Sequence, residues 1–215
     1  MASVDFTRTE RQLIDRLRTP LQVQRYLWSL PYNWELGGAT LRGFRGVVAH
    51  GSAHCLEAVL FAATVLEHHG YPPLVLDLEA QDDVDHVVFL FRDGDRWGTV
   101  GRSRCYGLHG RKPVYRTVRS LALSYQDPFI DRTGRLTGFG TANLTDLVSG
   151  RWRMSERNVW EVERALIAMP HERLKTSDAR YRRLHAKYLN LVDSGPLPSR
   201  AEWRAFYGPG RATWC

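Results

Sequence analysis

The chain has 215 residues, 43% of them hydrophobic and 25% charged, with a formal net charge of +7. This is the composition of an ordinary globular protein long enough for one sizeable core, and it excludes a fibrous repeat and a disordered chain. No run approaches the roughly 20 apolar residues of a membrane span. The polar stretch from Met1 to Arg11 lacks the apolar centre of a signal peptide, so the expected location is cytoplasmic, without a membrane partner.

Three cysteines, Cys55, Cys105 and Cys215, show neither CxxC spacing nor close pairing, which argues against a disulfide framework and a zinc knuckle and suits a reduced compartment. The excess charge lies mostly beyond residue 149, where 13 basic residues face 7 acidic ones. Acids are interspersed among those arginines as on a solvated helix face, so nucleic acid is not the expected partner.

In chain order, Leu13, Ile14 and Leu17 mark a helix over Thr7 to Arg18, and Pro20 opens a second, ended by Pro31. From Tyr32 to Ala53, glycines among aromatics and arginines predict a long ordered loop. Leu56, Val59, Leu60, Ala63 and Leu66 then form one apolar stripe, predicting a buried helix from Cys55 to His69. His68 and His69 suit its last turn, with Gly70 as a left-handed cap.

Three strand-like runs follow, at residues 74–78, 87–91 and 97–100, the last two joined by the turn Arg92-Asp-Gly-Asp-Arg96. A helix thus feeds an antiparallel sheet. A Gly- and Arg-rich loop reaches Arg111, a short helix is expected over Thr117 to Ser124, and Leu136 to Phe139 reads as an edge strand. Helical patterns return at Val159 to Ile167, at Ser177 to Leu191 and near Trp203, with Met169 to Ser177 as a linker.

Cys55 stands at the first turn of the buried helix, where unpaired N–H groups and the helix dipole favour a thiolate. His86, at the start of the second strand, is the candidate base. His50 and His54 are four residues apart near Cys55 but precede the helix, so no metal site is assigned. No cofactor is expected.

The arrangement Gly51-Ser-Ala-His-Cys55 opening an Ala/Leu-rich helix, then Gly70-Tyr-Pro-Pro73, Asp85-His-Val-Val-Phe89 and Gly94-Asp-Arg-Trp97, resembles the core of the transglutaminase-like superfamily. The resemblance covers residues 40 to 105. It implies an α+β, papain-like core over residues 1–150 with added N-terminal helices, on which a basic helical extension, 151–215, packs.

It further implies a triad of a helix-borne Cys, a strand His and a next-strand acid, here Cys55, His86 and an unfilled third place, because the chain reads Trp97-Gly-Thr-Val-Gly101 where the family has an acid. Ser103, Asp85, Asp127 or Asp131 could supply it, and Ser103 is preferred. Tyr32 and Trp34 could line a substrate cleft or close the core, and Arg102 and Arg104, in a basic cluster with His109, Arg111 and Lys112, could receive a carboxylate.

The implied activity is acyl transfer from a peptide, isopeptide or side-chain amide of a protein or peptide substrate, with hydrolysis favoured. The alternative is a non-catalytic binding module on the same fold.

Overall fold

The computed structural model describes residues 5–82, 84–193, 195, 198–207 and 212–214. Cys215 lies outside them. Two capped helices open the chain: α1 (Arg8–Arg16) and α2 (Pro20–Ser29). Thr7 with Glu10, and Thr19 with Gln22, form reciprocal capping boxes that satisfy the first free N–H groups.

Residues 32–53 are not wholly a loop, because α3 (Phe44–His50) forms within them. Its glycine obscured the pattern. A Cβ at Gly46 would stand 2.7 Å from Cβ of Arg42, so the glycine there is a packing requirement, not a loop signal.

The central helix α4 (Cys55–Glu67) is buried from Leu56 to Leu66 on every face. One side lies on the sheet and the other meets α2, α3 and the 3-10 turn Gly150–Arg153, and α1 and α7 (Trp160–Ala168) join the same apolar cluster, which explains a helix hydrophobic all round. Gly70 takes φ 82° after it, as the cap requires. His68 and His69 bond the Thr64 and Ile14 carbonyls, at 2.8 Å each.

The sheet contains β1 (Leu74–Ala80), β2 (His86–Asp93), β3 (Arg96–Val100), β4 (Leu136–Asn143) and β5 (Glu172–Arg173), in the order β3-β2-β1-β4-β5 with all pairs antiparallel. The molecule is therefore α+β. Val75, Val87, Phe89, Phe91 and Val100 face α4, whereas Leu76, Leu78, Val88 and Leu90 face a second apolar layer. That layer contains Leu108, Tyr125, Phe129 and α5 (Val118–Leu123).

β4 is longer than its apolar run suggested and is interior, paired with β1 along its length and with β5 beyond. Gly138 and Gly140 interrupt the alternation that would have revealed it. The short α6 (Leu144–Leu147) follows β4 directly.

Trp152, Val162, Leu166 and Met169 join the main apolar cluster, so the segment after residue 150 completes the same core. Helices α8 (Asp178–Asp193) and α9 (Arg200–Tyr207) follow. No residue of α8 is buried, and it is held by ion pairs such as Arg180–Asp127 and Arg135–Asp178, both 2.7 Å. Among the described residues, no helix is long and apolar enough to cross a membrane.

The linker before β5 is fixed by His171, whose Nε2 lies 2.9 Å from the Asp77 carboxylate of β1. That hydrogen bond, aided by the charges of Asp77, Glu79 and Asp85, raises the His171 pKa above its ordinary 6.5 against the effect of burial. A raised histidine stabilises the fold fully below its unfolded pKa and less as pH climbs through the folded one. Urea unfolding should therefore show stability falling as pH rises above about 6.5, and His171→Gln should flatten that slope.

Candidate active site

The start of α4 is built on one carboxylate. Glu57, at the third helical position, is fully buried and accepts from six donors: Asn33 Nδ2 (3.0 Å), Thr40 Oγ1 (3.0 Å), Arg42 N (3.0 Å), Nε (2.6 Å) and Nη2 (2.8 Å), and His54 N (3.1 Å). Burial alone would raise its pKa. The Arg42 hydrogen bonds and the His54 charge overcome that and hold it at about 2.

This network ties the segment from Asn33 to Arg42 to the first turn of the helix. Arg42 also donates to the Ser52 carbonyl at 3.1 Å. Beside it, Asn33 N donates to the Ala53 carbonyl and Ala53 N to the Pro31 carbonyl, so residues 31–33 run parallel to 52–54 as one wall of the site.

Cys55 is half-buried at the first position of α4, within hydrogen-bonding reach of both the His54 and His86 imidazoles. Burial pushes its pKa up, but the two imidazoles pull it further down, to about 6. The helix start adds to this, since its first N–H groups have no intrahelical acceptor. Ala58 N, to the His54 carbonyl, is the first intrahelical bond.

His86 is buried, with Nε2 2.7 Å from the Leu108 carbonyl. An Nε2–H donor bond to a carbonyl fixes the tautomer and leaves Nδ1 for the thiol. The imidazole is thus oriented by a main-chain oxygen.

None of the four side chains considered for that place occupies it. Ser103 Oγ accepts from Cys105 N (3.0 Å), Asp85 accepts from Ala80 N (2.7 Å), Asp127 pairs with Arg180, and Asp131 caps Thr133 and Gly134. Gly101 cannot be replaced by an acid, because a Cβ there would lie 2.6 Å from Val88 Cγ1.

In the sequence His54 stands out only through its spacing from His50, and among the described residues no group of three potential ligands gathers. Its position as the helix N-cap is the signal that bears on the thiol. Nε2 donates to the Thr40 carbonyl (2.9 Å), and Nδ1 lies 3.3 Å from Leu56 N. Burial opposes the charged ring, but Cys55 and then Glu57 outweigh it and raise the pKa to about 9. The same ring lies within hydrogen-bonding reach of the sulfur.

The four expected substrate-binding residues gather on one flank. Burial raises the Tyr32 pKa, and the neighbouring Cys55 raises it further, which keeps the phenol protonated. Trp34 meets the Tyr32 ring edge to face at 5.0 Å and is 61% exposed. The Arg102 guanidinium lies 5.8 Å from the Tyr32 centroid and donates to the Leu30 carbonyl, and Arg104 is exposed beside Tyr32 and Cys105. Burial raises the Cys105 pKa, the reverse of Cys55.

Replacing Glu57 by Gln strands Arg42 and breaks donors on two segments. We expect a loss of about 3 kcal/mol in urea unfolding at pH 7. A carboxylate with a lowered pKa stabilises above its unfolded value, here 4.5, and progressively less toward 2, so acid unfolding of the wild type should steepen across that window and the variant should lose that step. No family model matches the chain, and no curated protein matches its sequence.

Proposed function

We propose that the protein is a transglutaminase-like thiol enzyme on a papain-like core, catalysing acyl transfer from a peptide, isopeptide or side-chain amide, with water as the favoured acceptor. The observation that carries this reading is a thiol lowered to about 6 at a helix start, in reach of an imidazole whose far nitrogen is held by the Leu108 carbonyl. At neutral pH such a sulfur is mostly thiolate, whereas an ordinary cysteine is mostly protonated.

In the proposed cycle the Cys55 thiolate adds to the substrate carbonyl carbon, and the carbonyl π electrons move to oxygen. The Cys55 N–H, at the open end of α4, and the protonated Tyr32 phenol are the donors available to that oxyanion. His86, as imidazolium, gives its Nδ1 proton to the leaving amine as the C–N bond breaks, leaving a thioester. Water then gives a proton to His86 and its oxygen to the acyl carbon, which frees the acid and restores the thiolate.

His54 acts on charge rather than on protons. Its imidazolium lies beside the sulfur and is anchored by Thr40 and Glu57, so it stabilises the thiolate through the cycle. Trp34, exposed beside Tyr32, offers an apolar surface to a protein or peptide side chain, and Arg102 and Arg104 offer positive charge to a nearby carboxylate. A carbonyl in place of an acid also suits a binding module without turnover, and experiment separates the two.

Iodoacetamide should alkylate Cys55 with an inflection near pH 6 and well ahead of Cys105. His86→Ala removes a charged hydrogen bond and should move the inflection up by about one pH unit. A p-nitrophenyl ester should give a stoichiometric burst, with the acyl group found on Cys55 by mass spectrometry and lost in Cys55→Ala. Depressed titration without any burst would leave the binding module standing, and an inflection at the ordinary thiol value would remove the enzymatic reading.

A further inference from the structure

The thiol-enzyme reading requires the His86 ring to be held with Nδ1 toward the sulfur, and that task falls to a single carbonyl. Leu108 belongs to a short 3-10 turn, Tyr106–Leu108, in the loop between β3 and α5. A main-chain oxygen in a loop orients an imidazole only as well as the loop itself is held.

Arg111 holds it. Its side chain is fully buried, and among the described residues its acceptors are neutral oxygens. Nη2 donates to the Gly107 carbonyl at 2.7 Å and Nη1 to the His109 carbonyl at 2.6 Å, the two carbonyls that flank Leu108. Nε donates to Ser124 Oγ at 3.2 Å.

The guanidinium lies 3.9 Å from the centroid of the Tyr125 ring. The Tyr125 hydroxyl donates to the same His109 carbonyl at 3.1 Å and meets Thr99 Oγ1 at 2.6 Å, and Thr99 Oγ1 accepts from Arg111 N at 2.8 Å. Residues 107–111 are thus tied to β3 and to the end of α5 by one closed set of bonds.

Burying a guanidinium among neutral acceptors carries a desolvation cost. Its planar fork is what two carbonyls two residues apart require, and a point-charge ammonium cannot span both. We infer that Arg111 is a positioning residue for His86: its fork fixes the carbonyls of Gly107 and His109, and so aims the Leu108 carbonyl at Nε2 and Nδ1 at Cys55.

This inference rests on the thiol-enzyme reading and is tested on the full chain through the pH profile of Cys55 alkylation by iodoacetamide, with near-UV circular dichroism to verify the fold. Arg111→Met should raise the inflection by about one unit and slow alkylation at pH 6 about fivefold. Arg111→Lys keeps the charge and should recover only part of this. Adding His86→Ala to Arg111→Met should cost little more, because both act through one imidazole.

A folded Arg111 variant with the wild-type profile, full recovery by lysine, or additive losses in the double variant would each overturn the inference. Should both variants fail to fold, the wild type decides: long-range proton–nitrogen correlations should find His86 protonated at Nε2 and bare at Nδ1 in its neutral form, and the opposite tautomer overturns it. Failure of the thiol-enzyme reading looks different, with wild type and His86→Ala titrating alike near the ordinary thiol value.

Discussion

The buried carboxylate of Glu57 is the constraint on which the site depends. Six donors from two stretches of chain converge on it, and withdrawing them from one another would separate residues 33–42 from the start of α4. A buried ion pair is seldom a net gain over hydrocarbon, but breaking one leaves an uncompensated charge. Such a pair therefore specifies an arrangement more than it stabilises a fold, and the arrangement specified here contains the thiol. The charge could have worked against the site, since a carboxylate two residues from a cysteine opposes its ionisation. Arg42 neutralises it on one side, and on the other it favours the His54 imidazolium, so its effect on the sulfur is turned from repulsion into indirect support.

A carbonyl behind the histidine differs from a carboxylate in kind. It fixes the tautomer and the ring plane, but as a dipole it stabilises an imidazolium less than a full negative charge would. The thiolate then needs stabilisation from elsewhere, and the second imidazole at His54 and the helix start provide it. This division also accounts for Gly101. The strand end packs against Val88 with no room for a side chain, and the imidazole partner comes from the next loop along the chain.

What could be read from the sequence follows from which atoms carry the structure. Apolar periodicity located α4 and the three strands that follow it, because burial of side chains shapes them. It missed α3 and misjudged β4, where glycines are needed for close approach or interrupt the alternation. Cys55 and His86 stood out by type and position, and Tyr32, Trp34, Arg102 and Arg104 do gather on the flank of the thiol. Leu108 could not be found, since its contribution is a main-chain oxygen common to every residue. Nothing in the apolar pattern singles out Glu57, and Arg111 reads as one cation among five in a loop; burial gives each a distinct role.

The same contrast between charge counted and charge placed bears on the basic tail. Arg180 of α8 pairs with Asp127 of the core, while Asp178 and Asp193 of α8 pair with Arg135 and Arg132. Acids and bases on both sides are thus engaged in holding a helix that has no fully buried residue, so the basic tail is not a uniformly positive face. Residues 212–214 reach further. Lys112 N donates to the Ala212 carbonyl, Trp214 Nε1 donates to the Thr99 carbonyl at 2.8 Å, and the Trp214 ring stacks on Phe91. Lys112 follows Arg111 in the chain and Thr99 pairs with it across the main chain, so residues 212–214 brace the loop that aims His86.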